Sequence, residues 1–441
     1  MTRLFGTDGV RGVAGTELDH DLAVALGRAA VRKIGPRVLI GRDSRVSGPM
    51  LEEALVAGIR AEGGTPQVTG VIPTPAIALL TRESDADCGI VISASHNPPE
   101  YNGIKFFDAE GYKLPDAVED EMQAIVEELR GQQVEPGAPA EVMADAAERY
   151  ITHAVETVRS RGIDFTGLTV ALDCAHGASC ATTPAALEQL GAKVVAINTD
   201  PDGAQINVGC GSTHLEQVVE LARTCGADVA LAHDGDADRL LAVAPDGAVV
   251  DGDYILAICA RELKARGKLA ANAVVGTVMA NLGFQLAMER EGIDVVTTKV
   301  GDRYVLEQMR AMGAAIGGEQ SGHIIFLEHN STGDGLVTAL QLLAVMAETG
   351  KPLPELMQVM EKFPQALVNV RVADKALYDG NEAIAAAEAE AKAELGDEGR
   401  LLVRPSGTEP LIRVMVEART QEQADACAQR VADVVAAQIG A

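Results

Sequence analysis

The chain has 441 residues, 47% of them hydrophobic, which exceeds the needs of one core and suggests roughly three domains of about 150 residues each. Its 64 acidic residues outnumber its 37 basic residues, and the resulting net charge of −27 argues against nucleic acid or an anionic membrane surface as a partner. No apolar window approaches the roughly 18 to 20 residues of a membrane-spanning helix, and the start, MTRLFGTDGVRG, lacks the apolar core of a secretory signal, so we expect a soluble, cytoplasmic protein.

Short β-branched runs alternate with amphipathic helical stretches over roughly the first 360 residues, a pattern typical of α/β layers. The alternation falls into three passes, each ending in a polar loop. The predicted strands of the first pass are VLIGRD, PQVTGVI and CGIVISAS, those of the second are LTVALDCA, AKVVAIN and DVALAHD, and those of the third are AVVGTVMA, DVVTTKV and the start of AAIGGEQSGH. We therefore predict a threefold repeat whose loops converge on one cleft, as ligand loops do at the strand ends of parallel sheets.

The rest of the chain has a different order, β-α-β-β-α, which predicts a small α+β domain. The predicted fold is α/β, with three similar α/β domains of mixed sheet and a smaller C-terminal α+β domain around a central cleft. The predicted domains are 1–153, 154–253, 254–366 and 367–441, and the segment 132–141 is predicted to be a surface connection.

Seven cysteines occur without any CxxC pair, at 88, 174, 180, 210, 225, 259 and 427. A zinc ribbon or a redox dithiol is therefore not indicated. We expect reduced and mostly buried thiols, as in ordinary cytosolic proteins.

Ser95 lies where the predicted strand CGIVIS gives way to the turn formers of HNPPEYNG. Pro98 and Pro99 stop the strand and hold the turn open, so we expect the Ser95 hydroxyl to be displayed rather than buried. His96 beside it can handle protons. Taken alone, this loop is explained better by an ordinary turn serine than by a nucleophile. A G-x-S-x-G hydrolase elbow is absent from the sequence.

The DGDADR loop follows the buried run DVALAHD and alternates Asp234, Asp236 and Asp238 with small spacers. Small spacers let the chain curl until three carboxylates face one point, where only a cation relieves their repulsion. Hard oxygen ligands favour Mg²⁺. A calcium loop of the EF-hand type is excluded because Arg239 and Pro245 stand where Gly and Glu are required. A solvated acidic turn is the remaining alternative.

Glu319 and Ser321 lie between glycines in GEQSGH, where they can accept from and donate to sugar hydroxyls, although generic turn chemistry explains this loop almost as well.

A fourth loop, RPSGTEP, connects two predicted strands and combines hydroxyls, backbone N–H groups and guanidinium groups into a nest for phosphate. Its candidate residues are Arg404, Ser406, Gly407, Thr408 and Arg413. A bare tight turn is the alternative, and no nucleotide-binding P-loop motif exists in the chain.

In this order and together, these loops resemble those of the α-D-phosphohexomutase superfamily. The resemblance covers essentially the whole chain and includes FGTDGVRG (5–12), IGRDSRVSG (40–48), SASHNPPEYNGIKFF (93–107), CGSTH (210–214), DGDADR (234–239), VGDRYV (300–305), GGEQSGH (317–323), TGDG (332–335) and RPSGTEPLIRVMVE (404–417). It implies four domains around a central cleft, in agreement with the pattern of elements.

The resemblance also implies roles for individual residues. Ser95 carries a phosphoryl group, and one Mg²⁺ ion per subunit binds the phosphoserine oxygen of Ser95 together with Asp234, Asp236 and Asp238. The distal phosphate of the substrate binds Arg404, Ser406, Gly407 and Thr408, with Arg413 beside them, and the sugar hydroxyls bind Glu319 and Ser321. The matching positions near the reacting phosphoryl group are Arg11, His96, Lys105 and Arg239.

The implied reaction interconverts glucosamine 6-phosphate and glucosamine 1-phosphate through a phosphoserine enzyme and a sugar 1,6-bisphosphate, and supplies UDP-N-acetylglucosamine synthesis. Gln320 and GDRYV resemble the glucosamine branch of the superfamily more than its mannose and glucose branches, which remain the alternative on the same scaffold. The expected partner is a small phosphosugar, with no nucleic acid and no membrane, and the resemblance suggests a homodimer.

Two further alternatives stay open. A metal phosphatase would hydrolyse the phosphoserine instead of recycling it. A non-catalytic phosphosugar sensor would lack chemical groups, whereas the nucleophile, the carboxylate loop and the phosphate loop are all present here.

Overall fold

A computed structural model of the chain describes residues 3–6, 8–135, 137–406 and 409–441. The chain forms two compact units. The larger unit contains Ile293–Val359 together with the chain up to Met279, and the smaller unit contains Ala280–Gly292 and Met360–Ala441.

The larger unit begins with a six-stranded mixed sheet. Its strands are β1 (Val10–Val13), β2 (Arg37–Arg42), β3 (Thr65–Val71), β4 (Cys88–Ile92), β5 (Tyr101–Asp108) and β6 (Glu141–Val142), in the order β1-β5-β4-β2-β3-β6. The helices of this part are α1 (His20–Lys33), α2 (Gly48–Ala61), α3 (Thr74–Arg82), α4 (Asp116–Leu129) and α5 (Ala146–Arg159). Strand β5 is antiparallel to both of its neighbours, while β2, β3, β4 and β6 pair in parallel.

A five-stranded sheet follows. Its strands are β7 (Thr169–Asp173), β8 (Lys193–Ile197), β9 (Val229–His233), β10 (Leu240–Val243) and β11 (Val249–Val250), in the order β11-β10-β9-β7-β8. The accompanying helices are α6 (Thr183–Gln189), α7 (Glu216–Cys225) and α8 (Gly252–Ala265).

A third sheet, also in the larger unit, has four strands. They are β12 (Ala273–Thr277), β13 (Asp294–Thr298), β14 (Ile316–Gly318) and β15 (Ile324–Phe326), in the order β13-β12-β14-β15. The helices of this part of the larger unit are α10 (Asp302–Met312), α11 (Gly335–Thr349) and α12 (Leu353–Leu356), whereas α9 (Leu282–Arg290), which precedes them in the chain, belongs to the smaller unit.

The predicted threefold repeat is confirmed by the topology. Each sheet contains the same four-strand arrangement, three parallel strands and one antiparallel strand: β3-β2-β4-β5, β8-β7-β9-β10 and β13-β12-β14-β15. The first strand of each repeat also ends in the same local turn, because the side chains of Asp43, Asp173 and Thr277 each accept a hydrogen bond from the backbone N–H two residues later. The three functional loops therefore occupy equivalent places, between the third strand and the antiparallel strand.

The third strand of each repeat is buried along its whole length. All five residues of β4 and all five of β9 are buried, which explains why they read as continuous apolar runs. Asp19 caps α1, Asp251 caps α8 and Asp334 caps α11, in each case by accepting from a backbone N–H of the first turn. The polar loops thus begin on rigid, buried strands.

The smaller unit has the predicted β-α-β-β-α order. Its three-stranded antiparallel sheet has the order β16-β18-β17 and packs against two helices; the elements are β16 (Gln365–Arg371), α13 (Glu382–Leu395), β17 (Arg400–Pro405), β18 (Leu411–Glu417) and α14 (Gln421–Ile439). Helix α9 joins this unit through Glu417, whose carboxylate accepts from Asn281 at 3.1 Å and from the N–H of Leu282 at 2.9 Å.

The seven cysteines are all free thiols, as expected. Five of them are buried: Cys88, Cys174, Cys210, Cys259 and Cys427. Among the described residues, no helix has the length and apolar character needed to cross a membrane.

Candidate active site

Ser95 lies three residues after the end of β4, in a backbone conformation that residues other than glycine rarely adopt. Its φ of 51° is left-handed, which costs a non-glycine residue roughly 1 to 2 kcal/mol and persists only where neighbours hold it. Its N–H donates to Oγ of Ser93 at 2.9 Å, and Ser93 in turn donates to Asp43 at 2.6 Å. The backbone position of Ser95 is therefore fixed by hydrogen bonds to residues at the ends of β4 and β2.

The hydroxyl of Ser95 faces the carboxylate loop. Its Oγ donates to Oδ2 of Asp234 at 2.5 Å and lies 3.3 Å from Nδ1 of His96. Ser95 is only 1% exposed, so the expectation of a displayed hydroxyl was wrong. Asp234, in the loop after β9, contacts the hydroxyl and contributes to its burial.

Asp234, Asp236 and Asp238 bring one carboxylate oxygen each within 4.8 Å of one another, and all three residues are buried. Ala237, with a φ of 56°, lets the loop curl, as the small spacers predict. Within the described residues, Oδ1 of Asp236 and Oδ1 of Asp238 are buried without a hydrogen-bond partner. Burial and the two neighbouring carboxylates raise the pKa of Asp234 well above its usual value. This donor set fits a hard divalent cation.

Lys105 lies inside this carboxylate cluster. Its Nζ is 2.8 Å from Oδ2 of Asp236, 2.9 Å from Oδ2 of Asp8 and 3.6 Å from Oδ2 of Asp238. Although burial opposes the charge, these three carboxylates hold the pKa of Lys105 above its usual value. Lys105 is therefore a fixed cation at the site.

Arg11 belongs to the same group. In the antiparallel pairing of β1 and β5, Arg11 is opposite Gly103, two residues from Lys105, so both side chains leave the same face of the sheet. The Arg11 guanidinium lies 2.5 Å from Oδ2 of Asp8. Burial, together with the cations Arg239 and Arg11, lowers the pKa of His96 to about 4, so this imidazole is neutral near pH 7.

Arg239 connects the carboxylate loop to the loop of the third sheet. It forms an isolated antiparallel bridge with His323, and the next residue, Leu240, donates its N–H to the carbonyl of Gly322 at 3.1 Å. Gly322 has a φ of +91°, and a Cβ there would lie 2.2 Å from the carbonyl oxygen of Leu240, so only glycine allows this approach. The second and third loops are thus fixed to each other.

Glu319 and Ser321 are partly exposed beside this junction. Oε1 of Glu319 accepts from the N–H of Gly301 at 3.1 Å, which leaves its second oxygen for another partner. Nearby, the Lys113 ammonium bridges Asp8 of the first domain and Asp302 of the third, and Asp302 lies 3.5 Å from Nε2 of His323. An ion-pair chain therefore runs between the first and third sheets.

The predicted phosphate loop lies between β17 and β18 in the smaller unit. Arg404 and Arg413 are direct cross-strand neighbours, and burial together with the charge of Arg413 lowers the pKa of Arg404. Ser406 is buried, its N–H donates to the carbonyl of Leu411 at 2.8 Å, and its own carbonyl accepts from Lys375 at 2.6 Å. Arg404 and Arg413 place two guanidinium groups side by side, and Arg413 also forms an ion pair with Glu409 at 3.0 Å. Guanidinium groups in such a loop can bind an anion. Gly407 and Thr408, predicted for the same role, lie outside the described residues.

Several residues of the site were missed by the sequence reasoning. Thr74 donates to Oδ2 of Asp236 at 2.7 Å, and Asn207 donates to the carbonyl of Ser95 at 2.9 Å. The others in the larger unit are Asp8, Asp43, Arg45, Lys113 and Asp302, and in the smaller unit Lys375, which donates to the carbonyl of Ser406, was also missed. Asp8, Asp43, Arg45 and Asp302 lie within motifs that the sequence analysis recognised, which was the available signal.

Four family models match successive parts of the chain. They are described as Phosphoglucomutase/phosphomannomutase alpha/beta/alpha domain I (residues 2–133), domain II (148–247), domain III (251–363) and C-terminal domain (367–434).

Curated relatives match over the full length. A phosphoglucosamine mutase from Heliobacterium modesticaldum is 52% identical over 98% of this chain and 99% of its own, and one from Clostridium novyi is 51% identical over 99% of each. Among solved structures, a phosphoglucomutase/phosphomannomutase family protein from Burkholderia thailandensis superposes with a TM-score of 0.82 at 26% identity, covering 99% of this chain and 98% of that one.

Proposed function

This chain belongs to the phosphoglucomutase/phosphomannomutase family, and from that premise we propose that it interconverts glucosamine 6-phosphate and glucosamine 1-phosphate. The full-length relatives at 52% and 51% identity are phosphoglucosamine mutases, which supports the amino-sugar substrate. The observation that carries the chemistry is the contact between the Ser95 hydroxyl and Asp234, because it joins a nucleophile to a carboxylate cluster.

The proposed cycle starts from Ser95 carrying a phosphoryl group on Oγ. The Oγ–P bond breaks as the free hydroxyl of the sugar phosphate forms a new O–P bond. The proton that this hydroxyl loses is balanced by the proton that Oγ gains, which yields a sugar 1,6-bisphosphate and Ser95 with a free hydroxyl. The bisphosphate turns end for end, and its other phosphoryl group returns to Ser95. The serine is phosphorylated again at the end, so the net reaction is an isomerisation.

Asp234, Asp236 and Asp238 would hold Mg²⁺ together with an oxygen on Ser95. The fit rests on three clustered carboxylates and on the two buried Oδ1 atoms of Asp236 and Asp238 that lack hydrogen-bond partners in the described structure. Bound there, the ion would supply neutralisation of charge on the transferring group.

Basic side chains of the protein would also neutralise charge on the transferring group. Lys105, Arg11 and Arg239 surround the carboxylate loop and offset negative charge at the reacting phosphoryl group. Lys105 is held by three carboxylates, so it does not need to reorganise when charge develops. An acidic protein thus provides local positive charge for an anionic substrate.

The remaining loops would bind the substrate. We assign the phosphate that is not being transferred to Arg404, Ser406, Gly407, Thr408 and Arg413, and the sugar hydroxyls to Glu319 and Ser321. A turning intermediate presents alternately its 1- and 6-phosphates, which a nest of general phosphate donors can accept. The proposed domains are 1–153, 154–253, 254–366 and 367–441.

The test is turnover of glucosamine, glucose and mannose 6-phosphates by the purified protein, primed with glucose 1,6-bisphosphate, in the presence and absence of Mg²⁺. We expect the highest kcat/KM with glucosamine 6-phosphate. An equal or higher kcat/KM with mannose or glucose 6-phosphate would show that the protein is a phosphomannomutase or phosphoglucomutase instead. Release of inorganic phosphate that matches substrate loss would identify a phosphatase.

A further inference from the structure

The backbone of the serine loop turns four of its carbonyl groups toward one buried side chain. Arg45 is fully buried and donates to all four. The distances are 3.0 Å to Ser95, 2.7 Å to Asn97, 2.5 Å to Pro98 and 2.8 Å to Tyr101. Its Nε donates to Asp43 at 2.9 Å, which neutralises its charge. The loop is therefore held from within its own domain.

A second donor reaches the same loop from the second domain. Nδ2 of Asn207 donates to the carbonyl of Ser95 at 2.9 Å and to that of Asn97 at 3.1 Å. Asn207 is 7% exposed and has a φ of 61°, and its own N–H donates to the carbonyl of Ala175 at 3.1 Å. Asparagine suits this place because it tolerates the left-handed region and carries two donors on a short stem.

Ser95 is thus bound to the second domain at two points. Its side chain contacts Asp234, and its carbonyl contacts Asn207. The carbonyl contact holds the Ser95–His96 peptide, and the hydrogen bond from the Ser95 N–H to Ser93 holds the peptide before it, so the backbone is fixed on both sides of the Cα that carries Oγ.

We propose that Asn207 is a positioning residue for phosphoryl transfer, which ties the serine loop of the first domain to the carboxylate loop of the second. The inference rests on the proposed function, since it concerns the same nucleophile. Asn207 acts through the backbone of the serine loop and not through contact with the substrate.

Arg45 is a poor subject for the test, because its removal would leave Asp43 buried without its cation. Asn207→Gly is better, because glycine adopts the left-handed backbone without strain and removes the side-chain amide that donates to the serine loop. Asn198→Gly is the matched control, because Asn198 also has a positive φ, 52°, and donates to a buried carboxylate, that of Asp173, at 3.0 Å, without touching the serine loop.

The measurements are the rate of Ser95 phosphorylation by glucose 1,6-bisphosphate, followed by intact mass, and steady-state kcat and KM with the hexose 6-phosphate that the wild type turns over fastest. For Asn207→Gly we expect phosphorylation and kcat to fall about tenfold to a hundredfold with KM within about threefold of the wild type, since misplacement of a reacting group by about 1 Å costs on this scale. Asn198→Gly should lose a similar amount of Tm and keep both rates.

Equal rates in Asn207→Gly and the wild type, or equal losses in both glycine variants, would overturn the proposal. Asn207→Asp keeps the shape of the side chain without its donors and should show the same loss if the glycine variant does not fold. A wild type that takes up the phosphoryl group but does not convert glucosamine 6-phosphate would refute the proposed substrate while leaving the role of Asn207 to be decided by the uptake rates.

Discussion

The Oγ of Ser95 lies 2.5 Å from Oδ2 of Asp234, although 139 positions of sequence separate the two residues. The threefold topology accounts for this contact. Each residue follows the buried third strand of its own repeat, and the two repeats pack with these loops facing each other. The nucleophile and the carboxylate cluster therefore occupy one site.

Ser95→Ala removes the atom that is proposed to carry the phosphoryl group. We expect kcat to fall by at least about a hundredfold and intact mass to show no phosphorylation by glucose 1,6-bisphosphate. Because the buried Asp234 loses a donor, the free energy of unfolding should fall by about 1 to 3 kcal/mol. Ser84→Ala, in a turn after α3, is the control and should keep full activity. A variant at position 95 that still acquires a phosphoryl group would contradict the assignment.

Asp236→Ala tests the carboxylate cluster. Asp236 accepts from both Lys105 and Thr74, so its loss removes a proposed metal ligand and also one of the three carboxylates that hold Lys105. We expect turnover to be lost together with its dependence on Mg²⁺, and calorimetry to show weaker Mg²⁺ binding. Asp246→Ala, an acidic residue in an exposed turn, is the matched control. Normal activation of the position-236 variant by Mg²⁺ would show that the cluster does not hold the ion.

The elements and loops were predictable because their signals are local. The buried strands β4 and β9 are continuous apolar runs, and the carboxylates after β9 alternate with small residues that permit a tight curl. The same features recur in three passes, so the repeat could be recognised before any strand pairing was known.

The burial of Ser95 and the roles of Asn207 and Arg45 were not predictable in this way. The exposure of Ser95 depends on a loop from another domain that covers it. Asn207 and Arg45 donate to backbone carbonyls. Every residue has a backbone carbonyl, so the sequence does not indicate which carbonyls these side chains contact. Lys113 and Asp302 meet only when the first and third sheets pack together.

Arg404→Ala tests the phosphate loop. A charge-assisted hydrogen bond to phosphate contributes about 1.5 to 3 kcal/mol, so we expect KM to rise roughly tenfold to a hundredfold with a smaller change in kcat. Arg419→Ala is the control, because Arg419 lies in the same unit with its guanidinium over the ring of Phe363 and outside the loop. An unchanged KM in the position-404 variant would remove this residue from the substrate site.

His329 provides a test of pH-dependent stability away from the proposed metal site. Burial lowers the pKa of its imidazole; repulsion from His153, Arg161 and Arg266 acts in the same direction, against the attraction of Glu328. The native state then holds fewer protons than the unfolded state below the ordinary histidine pKa of about 6.5, so this residue destabilises the fold as pH decreases through that value.

His329→Gln keeps a polar side chain but cannot take up a proton. We therefore expect its Tm to fall less than that of the wild type between pH 7.5 and pH 5, a range chosen to span about 6.5, as measured by thermal unfolding in matched buffers. His20→Gln, at an exposed histidine, is the control and should follow the wild type more closely. Buried carboxyl groups such as Asp334, whose pKa is raised by burial, act in the opposite direction in all three proteins, so the difference between variant and wild type isolates His329. A position-329 variant with the same or a steeper loss of Tm would show that this imidazole is not held in its neutral form by the fold.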